Sequence, residues 1–316
     1  MKVVVTGGAG FIGANLCRAL SGDDRFDEVV ALDDLSTGSA ENLAGVEKVR
    51  LVTGSILDAG VLDETLAGSS AVVHLAARPS VARSLDNPEA THRVNSTGTL
   101  AVLDAARRGS RPYVVISSSS SVYGSNPTLP KSENLLPAPM SPYAASKLGA
   151  ESYARAFSQS FGLDVLTFRF FNVFGPLQSP WHDYAAVVPS FLWAAMSAQP
   201  LRMFGDGLQS RDFTYVGSVV RVLEAALRRR VTHDGPVNLA FGTNVSLIEL
   251  VSLIRELVGQ DLTIEHLKSR PGDVRHSQAD NSLLLHLFPE AEPVSLREAL
   301  AVTADWLRSL RPAASP

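Results

Sequence analysis

The residues Thr6-Gly7-Gly8-Ala9-Gly10-Phe11-Ile12-Gly13 constrain this chain more than any others. They stand between a β-branched run, Lys2–Thr6, and a helical pattern over 11–20. Glycines at 7, 10 and 13 follow a G-x-x-G-x-x-G spacing. Between a strand and a helix, the first glycine permits a tight turn and the second lets backbone approach a pyrophosphate. The third lets the helix pack closely on the strand. The helix N-terminus, opened by Phe11 and Ile12, adds free N–H groups and the positive end of the helix dipole.

The same alternation continues downstream. Apolar runs at 28–32, Val49–Thr53, 71–75, 113–117 and 165–169 read as strands, and 57–66, 97–107 and Pro142–Phe161 read as helices. Strands separated by helices mean βαβ units, a parallel sheet and right-handed crossovers. The expected fold is α/β, a Rossmann-type doubly wound parallel sheet. After Asn172 the alternation loosens into prolines, aromatics and short elements. A helix over 217–229 and a strand over 237–240 read as a return to the sheet. A helix over 246–258, a strand over 262–265 and a helix over 295–310 follow, and the tail at 312–316 is expected to fray. This predicts two domains. Residues 1–172 plus 215–243 would bind the dinucleotide, and 173–214 plus 244–312 would form a smaller C-terminal substrate domain.

The charge balance narrows the partners. There are 28 Lys and Arg against 32 Asp and Glu, a net −4, which gives no field for gathering nucleic acid or an anionic membrane. No stretch reaches the ~20 apolar residues of a membrane span. Met1-Lys2 leads straight into the first strand, so no targeting segment is expected and the cytoplasm is the expected location. Cys17 is the one cysteine, which excludes an intrachain disulfide and a Cys-rich zinc site. The histidines show no metal-ligand spacing, and His74 at a strand end reads as structural.

Asp33 follows Gly13 by 20 residues and ends the second strand. A carboxylate there accepts from ribose hydroxyls and repels a 2′-phosphate, which favours NAD over NADP. Tyr143 and Lys147 form a Y-x-x-x-K pair on one helix face. A neighbouring ammonium favours the phenolate, so a phenol of pKa ~10 becomes a usable general base near neutral pH. Ser119 falls at the end of a sheet strand, where α/β ligands collect, and its hydroxyl would hold a substrate oxygen beside the tyrosine.

With these motifs in place, the chain resembles an extended short-chain dehydrogenase/reductase of the UDP-hexose 4-epimerase and nucleotide-sugar dehydratase type. The resemblance runs through the glycine turn, 32–38, His74-Leu75-Ala76-Ala77, 117–124, 143–147, Arg169-Phe170-Phe171-Asn172-Val173-Phe174-Gly175-Pro176, 211–216 and Arg270-Pro271-Gly272-Asp273. It implies that Tyr143 is the acid/base, that Lys147 holds the nicotinamide ribose and tunes Tyr143, and that Ser119 binds the sugar C4 oxygen. Gly7, Gly10, Gly13, Asp33, Asp34, Ser36 and Gly38 would face the NAD phosphates and ribose, and Ser55 and Ile56 its adenine. Leu75, Ala76 and Ala77 would line the cleft. Asn95 would support the site from the next helix, and Phe170 would lie near the nicotinamide.

On the UDP-sugar side, the resemblance places Arg211, Arg270 and Asn172 on the diphosphate and Asp273 on a ribose. Val187, Leu201 and Phe204 would lie near the uracil, and Ser80, Ser120 and Ser121 near the sugar. Ser277 falls where the family sets the room around the sugar 2-position, so its small side chain implies a UDP-N-acetylhexosamine substrate. The resemblance also implies a homodimer packed through the helices at 97–107 and Pro142–Phe161, with Leu100, Leu103, Leu148 and Tyr153 as candidate contacts, burial of these residues within the monomer being equally compatible.

Such enzymes begin by oxidising the sugar at C4. Epimerases return the hydride to the other face, whereas dehydratases use the ketone to eliminate the C6 hydroxyl. The usual 4,6-dehydratase carries Asp-Glu after the serine position, and this chain has Ser120-Ser121, which are poor proton carriers near neutral pH. Epimerases more often carry Ala-Thr there. The expected activity is UDP-glucose or UDP-N-acetylglucosamine 4-epimerisation. The alternatives are dehydration of a UDP-N-acetylhexosamine, of the 5,6- or 4,6-type, as in tunicamycin-type antibiotic biosynthesis, and, more remotely, a non-catalytic NAD-binding regulator. Gly217-Ser218 departs from the acidic residues common after Tyr-Val, and a helix-capping consequence is expected.

Overall fold

The computed structural model describes residues 1–181, 185–268 and 274–310. Its centre is a seven-stranded parallel sheet. Strands β1 (Lys2–Thr6), β2 (Glu28–Asp33), β3 (Val49–Thr53), β4 (Ala71–His74), β5 (Tyr113–Ser119) and β6 (Val165–Phe170) are joined by helices. The helices are α1 (Phe11–Ser21), α2 (Ala59–Leu66), α3 (Val81–Asp86), α4 (Pro88–His92), α5 (Gly98–Arg108) and α6 (Pro142–Phe161). Beyond β6 come β7 (Val173–Phe174), α7 (Val187–Met196), β8 (Leu201–Phe204), β9 (Ser210–Arg211), β10 (Thr214–Tyr215) and α8 (Val216–Arg229). The chain ends with β11 (Pro236–Leu239), β12 (Val245–Ser246), α9 (Leu247–Val258), β13 (Ile264–Leu267), α10 (Ser282–Leu287) and α11 (Leu296–Ser309).

The sheet order is β11-β6-β5-β4-β1-β2-β3, so the chain reverses direction of travel between β1 and β4. A cleft opens at the carboxyl ends of the strands at such a reversal. The central strands are mainly apolar because alternate residues face opposite, covered layers. Val3 and Val5 pack with Leu16, Leu20 and Leu223 on the α1/α8 side. Val4 between them packs with Leu62, Leu103 and Phe157 on the α2/α5/α6 side. Each such buried side chain stabilises the fold by ~1.5–3 kcal/mol. A separate apolar cluster joins Phe191, Leu192, Leu250, Ile254 and Leu307 beyond the sheet.

Several boundaries differ from the sequence reading. β5 runs to Ser119, so three of the five consecutive serines are strand residues and two form the turn after it. A wide π-type turn, Arg93–Thr97, precedes α5. The second helix begins at Ala59 behind an Asp58 cap, and the late strand lies at Ile264–Leu267. Helices α3, α4, α7 and α10 have no counterpart in the pattern reading, since short or uniformly apolar segments carry little periodicity. Helix α8 has no side-chain cap. Ser218 instead accepts from Arg221 Nη2 (3.1 Å) and from the Val294 amide (3.2 Å), tying α8 to the approach to α11. Arg270, Asp273 and the 312–316 tail lie outside the described residues.

Candidate active site

The glycine turn is a cradle with no room for side chains. A Cβ on Gly13 would stand 2.1 Å from the Gly7 carbonyl oxygen, and one on Gly7, at φ +69°, would stand 2.7 Å from the Ala76 amide nitrogen. Gly38 supports the loop from below, where a Cβ would meet the Ala9 backbone at 2.8 Å. The cleft above the turn, about 420 Å³, is lined by Gly7, Gly10, Phe11, Ile12, Gly13, Asp33, Asp34, Ser36, Ser55, Ile56 and Leu75 to Ala77. It continues to Ser119, Tyr143, Lys147 and Phe170. Asp33 accepts from the Ala9 amide (3.0 Å) and the Leu35 amide (2.9 Å), and burial pushes its pKa up. A fixed acid at this end of the cleft disfavours a further phosphate. The whole cleft fits an extended dinucleotide such as NAD.

The Ser119, Tyr143 and Lys147 side chains at the end of the cleft come from β5 and α6. Ser141 caps α6, accepting from the Ala144 amide at 3.2 Å, and Pro142 takes the first helical position. Tyr143 therefore sits in the first turn, with Lys147 one turn on. The Tyr143 ring reaches the cleft. Burial pushes its pKa up, while a hydrogen bond with Ser119 pulls it back down. Lys147 Nζ donates to the Ser117 carbonyl oxygen at 2.8 Å, and burial lowers its pKa to about 8 against a partial rise from Glu151.

Around this pair lies a hydrogen-bond network in which the sequence reading named Asn95 as a support but not the partners. Asn95, carried by the wide turn before α5, donates to Ser146 Oγ (3.0 Å) on α6. It also accepts from the Arg78 amide at 2.7 Å. Asn95 does not line the cleft; it sets the position of groups that do. Thr99 spends its proton on the Asn95 carbonyl (2.6 Å), so it can only accept from His74 Nε2 (3.0 Å). His74 Nδ1 then accepts from Thr6 at 2.7 Å. Burial, with repulsion from Lys147, lowers the His74 pKa to about 3, so the ring is neutral and structural. Glu151 receives Arg169 in two bonds, 2.9 and 2.8 Å, and Ser118 Oγ at 2.5 Å, all inside the protein. No spacing in the sequence signals these pairs, because they join elements far apart in the chain.

Two further cavities meet the cleft. One, about 280 Å³, is lined by Ser80, Ser119, Ser120, Ser121, Tyr143, Phe170, Asn172, Arg211 and Ser277. The other, about 590 Å³, is lined by Asn172, Val187, Trp193, Phe204, Gln209 and Arg211 among others. Asn172 borders all three. Leu201 is fully buried in the apolar cluster and does not line the larger cavity. Trp193 and Gln209 do line it; each sits in an apolar or loop stretch with no motif to mark it. Among the described residues, no three His, Cys, Asp or Glu side chains cluster to hold a metal. No helix among them is long and apolar enough to cross a membrane.

A dinucleotide cleft that ends at a Ser–Tyr–Lys group on a doubly wound sheet defines a nucleotide-dependent redox site. Residues 3–240 match the model of the NAD dependent epimerase/dehydratase family, and the chain belongs to that family. Its cofactor is NAD. The UDP-glucose 4-epimerase of Mycolicibacterium smegmatis is 38% identical over 98% of this chain and 99% of its own. The UDP-N-acetylglucosamine 4-epimerase of Methanobrevibacter ruminantium M1, solved with UDP-N-acetylmuramic acid, has a TM-score of 0.92 and 36% identity. The match covers 98% of this chain and 99% of that one. The UDP-glucuronic acid 4-epimerase of Bacillus cereus, solved with UDP-glucuronic acid and NAD, has a TM-score of 0.90 and 31% identity. That match covers 98% and 100%. The chain is thus an enzyme of the nucleotide-sugar epimerase/dehydratase class.

Proposed function

We propose that this enzyme is a 4-epimerase of UDP-hexoses. The observation that carries the reading is the position of Tyr143: with Ser119, Phe170 and Asn172, it lines both the cofactor cleft and the adjoining small cavity. A sugar in that cavity presents its C4 hydroxyl to the phenol, and the two reactants are held in one orientation. When bound, NAD supplies a nicotinamide that accepts the C4 hydrogen with its electron pair and returns it.

The residues divide the remaining work. Tyr143 takes the hydroxyl proton and later gives it back, with Ser119 bridging it to the sugar oxygen. The charge of Lys147 favours the phenolate. Arg211 and Asn172, shared by the two outer cavities, suit a diphosphate linking nucleotide to sugar. Val187, Trp193 and Phe204 offer apolar surface to a base. Inversion needs the 4-keto sugar to turn over while the nucleotide stays fixed. The short side chains of Ser80, Ser120, Ser121 and Ser277 leave that freedom, and Ser277 also leaves space for a 2-acetamido group. Ser120 and Ser121 provide no carboxylate for elimination across C5 and C6, which argues against dehydration.

Incubation with UDP-glucose, UDP-N-acetylglucosamine and UDP-glucuronate, followed by proton NMR, tests the reading. Inversion at C4 supports it, and a vinyl or 4-keto-6-deoxy product refutes it. The division into a dinucleotide domain and a C-terminal substrate domain is part of the same proposal. So is a homodimer through α5 and α6. Leu103 is fully buried in its own protomer, which leaves Leu100, Leu148 and the 39%-exposed Tyr153 for the contact. Tyr153→Glu is expected to give monomers in analytical ultracentrifugation.

A further inference from the structure

We propose that Lys131 and Ser121 form a carboxylate-recognition point in the sugar cavity, and that the preferred substrate is a UDP-hexuronate, with its carboxylate at C6. This rests on the 4-epimerase reading and names its substrate class.

Lys131 and Ser121 line the same cavity as Ser119 and Tyr143. Lys131 is 3% exposed. Its ammonium donates to the Asn126 carbonyl oxygen, which uses one of its three hydrogens. Burial pushes its pKa down, and no carboxylate among the described residues offsets that. The cavity wall itself contains Lys131 and Arg211 and, among the described residues, no Asp or Glu. An enclosed cation without a counter-charge is costly to keep, and a ligand anion removes the cost.

The lysine is also held in place. Its amide donates to the Gln278 carbonyl oxygen at 2.7 Å, and its carbonyl accepts from the Asp280 amide (2.8 Å) and Asn238 Nδ2 (2.8 Å). Ser121 Oγ is buried with no hydrogen-bond partner, while its amide donates to Ser119 Oγ at 3.2 Å. Two donor groups with hydrogens to spare therefore line the same cavity as the pair proposed to address the C4 oxygen. On a hexose the next carbon, C5, carries C6. A C6 hydroxymethyl leaves Lys131 uncompensated, whereas a carboxylate brings the missing charge and two acceptor oxygens.

The test uses the NAD-loaded enzyme as isolated and compares kcat/KM for UDP-glucuronate, UDP-glucose and UDP-N-acetylglucosamine. UDP-glucuronate is expected to be preferred over UDP-glucose by about 100-fold, the scale of a charged hydrogen bond. Lys131→Met is expected to reduce that ratio to a few-fold, chiefly through KM, and Ser121→Ala to reduce it about tenfold. A wild-type preference for either neutral sugar overturns the proposal while leaving the 4-epimerase reading intact. Equal losses on charged and neutral sugars in Lys131→Met also overturn it. If that variant does not fold, the wild-type ratio and Ser121→Ala decide. If no sugar is inverted, the 4-epimerase reading fails, and calorimetric affinities of the wild type for UDP-glucuronate and UDP-glucose still decide the carboxylate point.

Discussion

Lys147 Nζ lies 2.8 Å from the carbonyl oxygen of Ser117, so the ammonium one helical turn beyond Tyr143 is anchored to the strand that carries Ser119. That bond ties α6 to β5. Its geometry explains why the positions of phenol, hydroxyl and ammonium are set together rather than one by one.

Removing the phenol should leave the frame standing. Tyr143→Phe keeps the ring and loses the hydroxyl that bonds Ser119. A loss of ~10²–10⁴ in kcat is expected, as for a deleted general acid–base, with unchanged circular dichroism. Activity within threefold of wild type (roughly) would remove Tyr143 from the proposed role.

The pH dependence follows from Lys147. Its folded pKa, about 8, lies below the ordinary 10.5, so the cation is present below about pH 8 and lost above it. Activity should fall on an alkaline limb near pH 8, and Lys147→Met should lack that limb. Between about 8 and 10.5 the unfolded chain holds a proton that the folded chain has released, so stability gains with rising pH in that window. Urea titrations across the window, compared with Lys147→Met, check the sign.

The cradle should be intolerant of one methyl group. Gly13→Ala places a Cβ 2.1 Å from a backbone oxygen that has nowhere to move. We expect loss of bound NAD, read by absorbance after denaturation and filtration, and destabilisation of at least ~2 kcal/mol.

The Glu151–Arg169 pair predicts an asymmetry. Both side chains are under a tenth exposed, and Glu151 also receives Ser118. Glu151→Ala leaves a buried guanidinium unpaired and should cost ~3–5 kcal/mol in denaturant titration. Glu151→Gln, which keeps acceptor oxygen for Arg169 and Ser118, should cost visibly less.

How far the sequence alone reaches depends on how local the signal is. The glycine spacing before α1, the Tyr143–Lys147 pair and the position of Ser119 after an apolar strand were readable, because each is set by neighbouring residues and a known period. For Leu103 the sequence left a dimer contact and burial in its own protomer equally open, and it lies in the core; an apolar residue on a two-sided helix carries no mark of which side is inner. The capping consequence expected at Gly217-Ser218 agrees with α8 starting without a side-chain cap, while the tie from Ser218 to the segment before α11 was not legible in the sequence.

The sequence thus determined the parallel α/β sheet, the glycine turn before α1 and the placing of Tyr143 and Lys147 one turn apart on a helix, since these follow from periodicity and short-range spacing. Only the tertiary structure decided that Asn95 reaches Ser146, that Glu151 holds Arg169, and that Lys131 lines a cavity with Tyr143. Those partners are brought together by the order of strands in the sheet and the packing of helices on it. That arrangement is a property of the whole folded chain, which no local run of residues encodes.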